Sequence, residues 1–191
     1  PFDEEDKHRG KQILLSLTRY YQIEIICFCW MGNHFHLVVY APEAPPSIEK
    51  AATLFNSHYG FTRQSSRYLS PENDKERCAQ VAENLVDISH FMKCLQQTFS
   101  IYYNKKYDRQ GPVWKSRYWS TLLEGSTALW DCVKYVEMNP ARAKVCDNTR
   151  EYSYSSWGIY LRTGNHPCGA AFIKHMERHS CYPPLSVLKT S

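Results

Sequence analysis

Long apolar runs are missing from this 191-residue chain: the longest, around Ile25 to Trp30, is far too short to cross a bilayer. No secretory signal peptide is visible either. The chain has no Gly-rich phosphate loop and no Gly-x-Ser-x-Gly elbow, so the usual signatures of nucleotide hydrolysis and of serine esterases are lacking. It has no internal repeat and no low-complexity segment. None of its eight cysteines (Cys27, Cys29, Cys78, Cys94, Cys132, Cys146, Cys168 and Cys181) forms a Cys-x-x-Cys pair. That scatter argues against structural zinc and fits reduced, mostly buried thiols in a cytosolic protein. Strong net charge is also lacking: +4 permits a polyanionic partner without demanding one.

With 43% hydrophobic, 14% aromatic and 22% charged residues, the composition is globular rather than disordered. The length suits one domain, or one domain with an appended subdomain. The chain opens on Pro1 and then on acids, Asp3 to Asp6, which suit a helix start. A Pro at position 1 suggests a processed or truncated chain that lacks an N-terminal element.

Hydrophobic spacing predicts a helix over 3–20, then a β-hairpin whose strands cover 23–30 and 34–40 around a Gly32-Asn33 break. A helix capped by Ser47 is expected over 47–60, followed by a mobile surface loop over 61–80. A second helix is expected over about 86–106, a strand from Trp114 to Leu123, and a third helix over 127–139. Ser126 or Thr127 would cap that third helix and Pro140 would end it. A small helix from Ser155-Ser156 to about 162 and a final helix with a tail complete the pattern. This order favours an α+β class with an antiparallel sheet packed on helices.

Three clusters carry chemistry. In a strand, His34 and His36 leave the same face, offering two imidazoles to a divalent metal, while Phe35, Leu37 and Val39 would enter the core. On a helix, Tyr135 and Asn139 share a face one turn apart, so a phenol could attack phosphorus while an amide completes a metal shell. A free phenol titrates at about pH 10 and needs help, from a metal or from neighbouring Lys134. The third cluster interleaves Lys105, Lys106, Arg109, Lys115 and Arg117 with tyrosines and Trp114, as suits phosphates and stacked bases. A surface histidine pair, a core tyrosine and an ordinary solvated helix end are the plainer alternatives that the pattern leaves open.

Taken together, several stretches resemble the single-tyrosine HUH transposases, in particular the REP-associated tyrosine transposase branch. They run from Trp30-Met31-Gly32-Asn33-His34-Phe35-His36-Leu37-Val38-Val39 through Phe99-Ser100-Ile101-Tyr102-Tyr103-Asn104 to Gly111-Pro112-Val113-Trp114-Lys115-Ser116-Arg117-Tyr118. They continue with Tyr135-Val136-Glu137-Met138-Asn139-Pro140-Ala141-Arg142-Ala143 and end at Tyr154-Ser155-Ser156. The order is the family's, and the resemblance covers about residues 1–160, leaving 161–191 as a C-terminal extension.

The resemblance implies a ferredoxin-like HUH domain with a central antiparallel sheet. It implies that His34, His36 and Asn139 hold Mg²⁺ or Mn²⁺ and that Tyr135 attacks a scissile phosphate of single-stranded DNA. The product would be a 5′-phosphotyrosine link and a free 3′-hydroxyl. The implied partners are single-stranded or hairpin DNA bound through Lys105, Lys106, Arg109, Trp114, Lys115, Arg117 and Lys134. The protein would act as monomer or homodimer, in a bacterial-type cytoplasm beside the nucleoid, with no membrane. Two departures stand out: the family's leading strand is missing ahead of the first helix, and residues 42–85 form an insertion. Two further functions fit the same residues, a domesticated module that binds nucleic acid without cutting it and a hydrolase of small phosphoesters.

Overall fold

The computed structural model describes residues 1–179, a mixed α+β arrangement whose described part has seven α-helices, one short 3-10 helix and a two-stranded sheet. The expected C-terminal tail, with Pro183, Pro184 and Cys181, lies outside the described residues. The seven described cysteines are all free thiols. No helix among the described residues is long and apolar enough to cross a membrane.

The chain divides into two compact units. One comprises residues 1–8, 25–39 and 119 onward; the other comprises 9–24 and 40–118. The 42–85 segment therefore shares its unit with residues 9–24 and 86–118, and the described part of the C-terminal extension belongs with most of the hairpin.

The acidic opening does begin a helix, α1 (Glu4–Leu17), with Asp3 and Asp6 each accepting the other's backbone N–H at 2.8–2.9 Å. The hairpin follows as β1 (Glu24–Trp30) and β2 (Phe35–Tyr40), closed by the Met31 N–H donating to the His34 carbonyl at 2.8 Å. β1 is buried from Ile25 to Trp30, as a run of β-branched, aromatic and cysteine side chains requires. Its edge away from β2 is covered as well. Trp30 N–H donates to the Tyr154 carbonyl, and Cys29 bridges to Ser155. β2 departs from the expected alternation: the fully buried residue is Val38, on the same face as His36, whereas Phe35, Leu37 and Val39 are only half-buried. Something therefore covers the histidine face, and Phe35 stacks on Trp30 with ring centroids 4.8 Å apart.

In the second unit, α2 (Ile48–Tyr59) has the expected Ser47 cap, which accepts from Lys50 N–H, and ends on Gly60 at φ 67°. The stretch 61–80 is loop only as far as Asp74. Asn56 pins it, donating to the Leu69 carbonyl and accepting the Leu69 N–H, both at 2.8 Å, with Leu69 fully buried. From Lys75 the chain is helical again, as α3 (Lys75–Asn84), which packs on α2 through Cys78, Val81 and Ala82. α4 (Ile88–Lys106) is capped by Asp87 and buries Phe91, Met92, Leu95 and Phe99, one every third or fourth residue.

Trp114 to Leu123 is not a strand. No neighbouring strand among the described residues pairs with it, and its aromatic side chains are spent on α4 instead. The Trp114 indole N–H donates to the Gln96 carbonyl at 3.0 Å, and the Tyr118 hydroxyl bonds Ser89 Oγ at 3.0 Å. Past the unit boundary, Trp119 is 95% exposed and Leu122 81%, so strand-like composition has bought no burial there.

α5 (Gly125–Arg142) starts earlier than Ser126 or Thr127, after Glu124, and Pro140 does not end it. Proline at the sixteenth of eighteen positions forfeits one hydrogen bond near the C-terminus, and its ring is buried in compensation. The 3-10 turn Thr149–Glu151 and then α6 (Ser156–Thr163), capped by Ser155, pack against α5; α7 (Gly169–Arg178) follows.

Candidate metal and nucleophile site

The first unit holds all four residues expected at the reacting centre. His36 lies in β2 and His34 just before it, since the strand begins at Phe35, one residue later than expected; their ring centroids are 4.9 Å apart and edge-to-face. Against the His36 ring, also edge-to-face and 5.4 Å away, lies the Tyr135 phenol of α5. A strand and a helix about a hundred positions apart thus converge, and α5 is part of what covers the histidine face of β2. Tyr135 remains 43% exposed, so part of its side chain is open to solvent. Asn139 lies one turn further along that side of α5 and is buried.

The two imidazoles are prepared differently. His34 Nδ1 lies 2.6 Å from Asn33 Oδ1, an atom that can only accept. Nδ1 therefore carries the proton, and the lone pair is left on Nε2. His36 Nε2 is buried and has no hydrogen-bond partner among the described residues. An orphaned ring nitrogen of this kind is costly unless something absent fills it. Burial lowers both imidazole pKa values, and His34 lowers that of His36 further. Both therefore favour the neutral form, which is the ligating one.

Metal fit follows from this donor set. His34 and His36 supply two ring nitrogens, and Asn139, one turn from Tyr135 on α5, is the amide expected beside them. No group of three His, Cys, Asp or Glu side chains able to hold a metal is present among the described residues. Two imidazoles with one neutral amide suit a weakly held, partly hydrated cation better than a closed zinc site.

Other expected residues are placed elsewhere. Lys134 does not serve the phenol: it pairs with Asp131 at 2.8 Å and lies 5.8 Å from the Trp130 ring centroid. The cation that does reach the phenol is Arg142, whose Cζ is 5.3 Å from the Tyr135 ring centroid. In the second unit, Lys105, Arg109, Lys115 and Arg117 are exposed. Lys106 sits 5.0 Å from the Tyr107 ring and Arg109 5.6 Å from that of Tyr103, so bases and rings there pair with each other. Trp114 is half-buried and tilted on Phe99 at 5.4 Å, which makes it an anchor rather than an open stacking platform.

Asn33, Arg142 and Glu137 enter the picture only with the structure. Glu137 is buried on α5, where it accepts from Ser156 Oγ and, at 2.8 Å, from Trp157 N–H. Ser156 Oγ in turn accepts the Phe28 N–H of β1 at 2.9 Å. Glu137 therefore ties the helix of Tyr135 to the hairpin of the histidines. Asn33 had a signal available, being adjacent to a candidate ligand histidine, and so did Arg142, seven residues beyond Tyr135. No family model, no curated protein and no solved structure matches the chain.

Proposed function

We propose that this protein is a metal-dependent single-stranded DNA endonuclease and strand transferase of the single-tyrosine HUH transposase type, on a ferredoxin-like HUH domain. The observation that carries the reading is the Tyr135 phenol lying against His36, whose buried Nε2 has no partner among the described residues. A structural tyrosine would more commonly be buried, whereas this one is 43% exposed.

His34, His36 and Asn139 would hold Mg²⁺ or Mn²⁺, which when bound supplies positive charge that offsets the charge developing on the phosphoryl oxygens. The chain's own part is nucleophilic. Tyr135 Oη attacks the scissile phosphorus, an Oη–P bond forms and the P–O3′ bond breaks. The electron pair leaves on O3′, and the phenol proton is in balance taken up there as the 3′-hydroxyl. The 5′-phosphotyrosine ester keeps the bond energy, so another 3′-hydroxyl can reverse the step without ATP. Lys105, Lys106, Arg109, Lys115 and Arg117 add sequence-independent phosphate attraction. The substrate class is single-stranded, hairpin-forming DNA, acted on by a monomer or homodimer beside the nucleoid.

Incubation of the protein with hairpin-forming single-stranded DNA and Mn²⁺ should give a denaturant-resistant protein–DNA adduct. Tyr135→Phe should abolish it. An equal adduct from Tyr135→Phe, or none from the wild type across a broad substrate set, would overturn the assignment. The absence of a three-ligand acidic, histidine or cysteine group among the described residues favours one other reading, a non-cleaving nucleic-acid-binding module. That reading predicts DNA binding that survives loss of both His34 and Tyr135.

A further inference from the structure

α5 continues past Pro140 to Arg142, and that continuation has a geometric result. Seven residues are nearly two full turns, so Arg142 returns to within about 20° of the direction of Tyr135. Its guanidinium Cζ comes to 5.3 Å from the phenol ring centroid. Arg142 is exposed, and no acidic side chain pairs with it among the described residues, unlike Lys134, which Asp131 holds at 2.8 Å. A cation on a ring face is attracted by the ring but does not use up its five N–H donors. An exposed, uncompensated fork beside a partly exposed tyrosine ring matches two non-bridging oxygens of a phosphodiester.

We infer that Arg142 is a catalytic residue of this site: it holds the scissile phosphate, two N–H groups donating to its non-bridging oxygens while Tyr135 attacks. The inference rests on the reading of Tyr135 as a nucleophile toward DNA and adds a residue that binds the reacting group. The plainer role for Arg142 is a cation near a helix C-terminus packed on an aromatic ring. Lysine would preserve that role, because it keeps the charge and the stem, but it lacks the planar fork.

The test uses the full chain with a pool of hairpin-forming single-stranded DNA and Mn²⁺, comparing wild type, Arg142→Ala and Arg142→Lys. Loss of the phosphate clamp should slow adduct formation about 10²-fold in the alanine variant, as for removal of one donor to a developing oxyanion. The lysine variant should remain at least about tenfold slow, for want of bidentate geometry. A second measurement is made in a Tyr135→Phe background, where DNA binds without reacting. There Arg142→Ala should flatten the plot of log affinity against log salt by about 0.7, the value of one phosphate contact on a single strand.

Wild-type rates in the alanine variant, or full rescue by lysine, overturn the inference and leave the nucleophile reading intact. If the wild type forms no adduct, the nucleophile reading fails, and with it the catalytic role of Arg142; the salt slope then reports only whether Arg142 contacts DNA. If the alanine variant does not fold, the lysine variant decides, and wild-type rates from it overturn the inference.

Discussion

Replacing Glu137 with alanine tests whether the helix of the nucleophile is held by one buried side chain. The carboxylate is 5% exposed and accepts two hydrogen bonds, from Ser156 Oγ and from Trp157 N–H at 2.8 Å. His166 Nε2 lies 3.9 Å away. The losses are unequal. Ser156 Oγ also reaches the Phe28 carbonyl at 3.2 Å, so on truncation its proton has another acceptor. Trp157 N–H, in the first turn of α6, has no such alternative. One charge-assisted bond at about 1.5–3 kcal/mol plus a stranded donor at about 1–3 kcal/mol gives a destabilisation of roughly 3–5 kcal/mol. For a chain of this length that lowers Tm by about 6–20 °C, at about 2–4 °C per kcal/mol. Glu137→Gln keeps one acceptor and should lose about half as much. Thermal unfolding followed by circular dichroism measures both. A shift under about 2 °C for the alanine variant would show that α5 is held by apolar packing alone and would refute the assigned role.

Other outcomes follow from the same structure. Gly158→Ala should be severely destabilising, by several kcal/mol. An added Cβ would sit 2.0 Å from the Tyr152 carbonyl oxygen and 2.7 Å from that of Thr149, both fixed backbone atoms. Denaturant unfolding measures that loss, and a loss below about 1 kcal/mol would mean that the 3-10 turn yields easily. Stability should fall with acidification between about pH 6.5 and 5. His34, His36, His58 and His90 all have folded-state pKa values lowered by burial. The unfolded chain therefore binds more protons in that window, so stability is complete above the ordinary histidine value and is lost as pH drops toward the folded ones. Glu4 and Glu49, held below the ordinary carboxyl value, act only at lower pH. A Tm unchanged from pH 7 to 5 would show that the partial desolvation of these rings does not carry into stability. Asn33→Ala frees the His34 tautomer and should weaken Mn²⁺ binding by about 10-fold or more, read by calorimetry or paramagnetic relaxation. Equal affinity would show that Asn33 does not orient the ring.

Local chemistry along the chain was enough to locate most elements. α1, the hairpin, the Ser47-capped helix, α4 and the Ser155-capped helix follow from periodicity, caps and turn residues, all of which act over a few positions. α3 was legible as well: Cys78, Val81, Ala82 and Leu85 recur at helical spacing, but the polar residues around them read as loop. The pairing of His34 with His36, and of Tyr135 with Asn139, is likewise a matter of spacing at the start of one strand and within one helix. Contacts between distant segments are another matter. Trp114 to Leu123 has strand-like composition, yet a strand needs a partner, and whether Trp114 and Tyr118 meet a neighbouring strand or α4 depends on tertiary packing. Pro140 ends a helix only if its burial does not repay the lost bond, and that same packing brings Arg142 rather than Lys134 to the phenol. Most of all, the meeting of a β2 imidazole with an α5 phenol, and the Glu137–Ser156 tie that holds their elements together, join residues with no local relation. Spacing specifies what a single element presents; only the packed core specifies what two elements present to each other.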